Sequence, residues 1–168
     1  APKIPKDMVR MGGAFRGCIS LQEAPVIPEK VIDISFAFYK CKNLEKAINV
    51  PANVEDVMAA FRRCERLENI PVLPENLTYF DGMFSGCINL EKKIEKQFKD
   101  ILKEKLQKDS NEIDISKISA SIISTMSKGE KEVFNQIMNK KIRSVEGIKT
   151  NKEKSIAVLK GWVEDVQK

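Results

Sequence analysis

The side chains with the most chemistry in this chain are four cysteines, Cys18, Cys41, Cys64 and Cys87, which recur every 23 residues. A thiol can join a disulfide, ligate a metal or act as a nucleophile, and each role needs particular neighbours. Metal sites pair their ligands a few residues apart, which an even spacing of 23 does not supply. The sequence has no histidine, so the commonest general base, proton switch and metal ligand are all missing. Even spacing is also unlike a secreted disulfide framework, although adjacent coils of a repeat can bring two sulfurs within bonding reach. The expected state is reduced thiols that pack inward as small hydrophobes and meet backbone groups in a turn. No Walker loop, GxGxxG or nucleophile elbow occurs, and Glu55–Asp56 and Glu164–Asp165 read as solvated neighbours, not a dyad. These residues predict no enzyme, no catalytic residue, no metal and no cofactor.

What positions the cysteines is a repeat. Each closes a Phe-x-x-Cys string, at Phe15, Phe38, Phe61 and Phe84, and a fixed period of 23 predicts a solenoid of stacked coils. The third residue after each Cys is leucine (Leu21, Leu44, Leu67, Leu90), and the tenth is proline in every complete repeat (Pro28, Pro51, Pro74). The sixth, ninth, thirteenth and sixteenth positions are small or apolar, as in Ala24, Ile27, Val31 and Ile34, and should face inward with the Phe and Cys ladders. A short parallel strand is expected after each column Leu, ended by proline, which has no N–H to donate. Residues 1–8 overlay residues 24–31 without a gap, so the chain is expected to be a fragment that starts inside a repeat, with an open end able to self-associate.

These columns resemble the leucine-rich repeats of the BspA-like (Treponema pallidum type) family, above all in Met83-Phe84-Ser85-Gly86-Cys87-Ile88-Asn89-Leu90, which is similar to that family's MFxGCxxL variant. The resemblance covers residues 1 to about 93. It departs in placing Pro one residue later after Cys and in lacking the usual Gly after the sixteenth position, which bears on turn geometry. Proteins with such repeats are often surface proteins that bind host proteins or other cells, so the resemblance implies binding without naming a partner.

Past Leu90 the period stops and helical stripes begin. Ile94, Phe98, Ile101, Leu102 and Leu106 predict a helix over about 91–108 that caps the array, and residues 108–111 a polar break. Ile115, Ile118, Ile122 and Met126 predict a second helix. Ser127 with Glu130, and Thr150 with Glu153, have capping-box spacing and start two more. The fold class is thus α+β: a solenoid domain, 1–93, followed by an α-helical bundle, 94–168. The net charge of +5 lies wholly in this tail: residues 1–90 hold 11 basic and 11 acidic side chains. Spread over helices rich in both signs, with Lys140, Lys141 and Arg143 suited to a helix C-terminus, it reads as a solvated surface; nucleic acid is not the expected partner. No run reaches transmembrane length.

A partner protein would dock where residues between core columns vary freely: Glu23, Val26, Lys46, Asn49, Asn69 and Val72, beside Pro25 and Pro71. A second candidate is a basic and aromatic ridge beside the Phe–Cys turns, Arg16, Tyr39, Arg62, Arg63 and Arg66, suited to an acidic partner. The expected function is a non-enzymatic protein-interaction module at a cell surface or secreted, for attachment or host-protein binding. The alternative is a cytoplasmic effector or inhibitor whose basic bundle touches nucleic acid.

Overall fold

The computed structural model describes residues 2–108, 114–148 and 150–168. Ala1, where the overlay on residue 24 begins, and residues 109–111 of the expected polar break lie outside the described residues. The chain divides into two compact units, residues 1–91 and 92–168.

The expectation of a strand after each column Leu is corrected: among the described residues the first unit forms no strand, only isolated parallel bridges. One, Glu23 with Lys46, lies in the stretch after the Leu; the others pair Arg10 with Asp33, Asp33 with Asp56, and Asp56 with Tyr79. Two causes stop the ladder from lengthening. Prolines at 25, 28, 51, 71 and 74 remove donors. Moreover, the side chain of Asn69 replaces a backbone rung, its Oδ1 accepting from Ala47 N at 2.9 Å and its Nδ2 donating to Ala47 O at 2.8 Å.

The repeats are joined chiefly through the Phe–Cys turns. There, alternate N–H groups donate to the next coil (Gly13 to Ser35, Phe15 to Ala37, Gly17 to Tyr39, then Phe36 to Met58, Phe38 to Ala60, Lys40 to Arg62). The residues between them close tight turns on their own coil, as Arg16 N does on Gly13 O and Cys18 N on Phe15 O. Such turns need a left-handed residue fourth after fourth. Glycine supplies it at Gly13, Gly17, Gly82 and Gly86, with φ of 65° to 79°, but the middle coils use Phe36, Lys40, Ala59 and Arg63 at φ of 51° to 62°. Left-handed backbone costs a residue with a Cβ roughly 1–2 kcal/mol. Asp33 and Asp56 help to hold these turns, each Oδ1 accepting from the N–H two residues on.

Inside the turns the phenylalanines stack almost face to face, with centroids 5.5, 5.1 and 6.0 Å apart from Phe15 through Phe38 and Phe61 to Phe84. Each inner thiol donates to the Phe carbonyl one coil back: Cys41 to Phe15 at 3.0 Å, Cys64 to Phe38 and Cys87 to Phe61 at 3.1 Å. Cys18 departs from the expected inward ladder and is exposed, and Phe15 is half-buried. All four cysteines are free thiols.

Burial pushes the Cys41 thiol from 9.0 up to about 11, and pushes Cys64 up as well. A raised thiol pKa stabilises the fold below the unfolded value of 9.0, and that contribution is lost as pH rises through about 11. Stability should therefore be flat in pH up to 9.0 on this account and fall above it. In the folded chain at neutral pH, a thiol reagent should label Cys18 and reach the other three only when urea unfolds the repeats. Rapid labelling of all four would contradict the thiol ladder.

Among the described residues the second part is a bundle of four helices: α1 Ile88–Lys108, α2 Ile115–Ser124, α3 Lys128–Arg143 and α4 Asn151–Gln167. Helix α1 starts three residues before the expected 91, with Glu91 N bonding back to Cys87 O. Both capping boxes are formed, Ser127 with Glu130 and Thr150 with Glu153. The bundle closes on three rings from three helices: Phe98 lies 4.8 Å from Phe134 and 5.2 Å from Trp162, and Phe134 lies 6.1 Å from Trp162. Lys99 and Lys141 cover the Trp162 ring at 5.7 and 5.6 Å, while their ammonium groups share Glu95 at 3.2 and 3.3 Å.

Candidate interaction surface

The docking positions read from the sequence separate into three kinds of environment. Glu23 and Lys46 are exposed and pair with each other at 3.0 Å. Asn49 and Asn69 serve the array itself, Asn49 Oδ1 accepting from Val72 N at 3.2 Å and Asn69 bonding Ala47 twice. Val26 and Val72 are apolar and open to solvent, with 79% and 68% of their surface accessible. Pro25 and Pro71, expected on the surface beside them, are buried. Beside each buried proline the valine faces solvent.

Val26 also lines an open groove of about 810 Å³ between residues 2–6 and 24–30. Pro2, Ile4, Pro25, Ile27 and Pro28 give it an apolar lining, with Lys3, Lys6 and Lys30 alongside. Pro2 and Ile4 were missed as candidates; the overlay of residues 1–8 on 24–31 is the signal that places them in the adjoining coil.

The basic ridge is a separate surface on the Phe–Cys turns. Arg16, Lys40, Arg62 and Arg63 are exposed and Tyr39 is half-buried. The Arg16 guanidinium lies 5.0 Å and the Lys40 ammonium 5.3 Å from the centre of the Tyr39 ring, so one aromatic ring holds two cations. Arg66, assigned to the same ridge from the sequence, is drawn away into an ion pair with Glu45. Lys40 went unnoticed as a ridge member, and its place next to Tyr39 in the turn is the signal that would have found it.

Among the described residues no cluster of three or more His, Cys, Asp and Glu side chains is arranged to hold a metal ion. No described helix is long and apolar enough to cross a membrane. Compared with known proteins, a family model described as "BspA type Leucine rich repeat region" matches residues 3–113 in six copies. The matched segment continues past the last Phe–Cys turn into α1. No curated protein and no solved structure matches.

Proposed function

The chain belongs to the proteins that carry a BspA-type leucine-rich repeat region, and from that premise we propose that it is a non-enzymatic protein-binding module, its coils forming a solenoid that acts in attachment or host-protein binding at a cell surface or after secretion. The observation that carries this reading is the exposure of Val26 and Val72, the latter on backbone fixed to the neighbouring coil by Val50 N donating to Val72 O and Val72 N donating to Asn49 Oδ1. A partner that covers them gains apolar burial without first ordering a loop. In this reading residues 1–93 are the binding domain and residues 94–168 a separate helical domain.

The reading is tested by immobilising the chain and comparing capture from host-cell surface extract with capture from bacterial cytosol. A discrete surface protein should be retained, and a Val26→Glu, Val72→Glu double variant should bind it at least about tenfold more weakly. Equal retention by the variant would remove this face from the proposal. Specific capture from cytosol alone would move the protein to the intracellular effector class.

A further inference from the structure

We infer that the ridge of Arg16, Tyr39, Lys40, Arg62 and Arg63 is a second docking surface, built to grip a short acidic segment of a partner protein. The inference rests on the reading of the array as a protein-binding module and adds the chemistry of what it binds.

Charge pairing marks the ridge: among the described residues its cations, like Lys3, Lys6 and Lys30, stand outside the ion pairs of the repeat unit. Residues 1–90 carry equal numbers of cations and carboxylates, enough for every cation to find a partner. Arg10 pairs with Asp33, Lys42 with Glu65, Lys46 with Glu23 and Arg66 with Glu45. Among the described residues no carboxylate pairs with Arg16, Lys40, Arg62 or Arg63, although these four lie on consecutive coils.

The backbone adds an independent observation. The residue before each Cys occupies left-handed φ, at 75° in Gly17, 62° in Lys40, 62° in Arg63 and 79° in Gly86. The outer coils meet that demand with glycine, the residue that suits it; the middle coils place a long cation there against the conformational preference. The next coil makes room for one of them, since a Cβ on Gly86 would come within 3.3 Å of Arg63 Cγ. The same coils keep left-handed backbone at Phe36 and Ala59 too, so strain alone does not mark the charges; at Lys40 and Arg63 it coincides with a long exposed cation where the same turn accepts glycine.

The span suits a peptide. Ring centroids advance 5.5 Å from Phe15 to Phe38 and 5.1 Å from Phe38 to Phe61, so the cations sit within about two coil spacings. Extended acidic side chains on one face of a peptide recur every 6.6–6.8 Å or so, comparable with that pitch. The repeat unit has no net charge to draw a long polyanion, and the Phe36 ring set edge-on to Tyr39 at 6.0 Å offers apolar contact between the charges.

The test uses the full chain with a fluorescein-labelled octaglutamate peptide, read by anisotropy at low and physiological salt. The unmodified protein should bind it in a salt-sensitive way. Lys40→Gly combined with Arg63→Gly should weaken binding at least about tenfold while the thermal midpoint holds or rises, because the change removes charge and backbone strain together. Arg10→Gln with Lys42→Gln, which removes two cations already paired, should bind like the unmodified chain. Equal weakening by both double variants would overturn the inference. So would tighter ridge-dependent binding of a single-stranded oligonucleotide or heparin fragment of matched charge. If the ridge fails while capture through Val26 and Val72 persists, the module reading stands and only its acidic partner is lost.

Discussion

Phe61→Ala is expected to lower the unfolding free energy of the repeat unit by about 3–5 kcal/mol, measured by urea denaturation followed by circular dichroism. Phe61 is fully buried and stacks on Phe38 at 5.1 Å and Phe84 at 6.0 Å, so truncation opens a cavity that two neighbouring coils share. Its carbonyl also accepts the Cys87 thiol, and its N–H donates to Met83 O, so any relaxation into the cavity strains bonds to the next coil. Phe15→Ala supplies the comparison. Phe15 is half-buried and stacks on one side only, and its loss should cost less than half as much. Equal costs at the two positions would mean that the Phe stack is not a cooperative spine.

Phe98→Ala should cost the helical part a similar amount, about 3–5 kcal/mol, because Phe98 is fully buried and touches the rings of both Phe134 and Trp162. The chain has one tryptophan, so Trp162 emission reports this part directly. The urea midpoint of that emission should fall sharply in the variant, and the native spectrum should shift to the red as water reaches the indole. An unchanged midpoint would place the core of the bundle elsewhere.

Much of this architecture was legible because it depends on side-chain type at fixed spacing. A Phe and a Cys every 23 residues stack only in register, and Ser127 with Glu130 or Thr150 with Glu153 states a helix start in four letters. The wrong expectations involve backbone that side chains conceal. The inter-coil bonds run through left-handed turns, announced by Gly13, Gly17, Gly82 and Gly86 but hidden in the middle coils behind Phe36, Lys40, Ala59 and Arg63. Asn69 read as a free polar position, whereas its amide imitates a peptide group and bonds Ala47 as a rung would. Helix α1 begins on Ile88, inside the last repeat string Phe84-Ser85-Gly86-Cys87-Ile88-Asn89-Leu90, so the repeat pattern hid its first turn. At the surface, Val26 and Val72 were visible as candidates, but the ridge gained Lys40 and lost Arg66 only through contacts to Tyr39 and Glu45.

The bonds that join the coils span 22 to 26 residues, from Phe15 N on Ala37 O to the Cys64 thiol on Phe38 O. Gain of one whole unit of 23 residues would leave every donor facing the same kind of acceptor, whereas an insertion of any other length would set phenylalanine opposite a loop. Such a gene segment can be duplicated or deleted only in whole units, and each event lengthens or shortens the binding face by one step of about 5 Å. The repeat therefore behaves as a ruler, able to change the reach of its surface without redesigning a single contact.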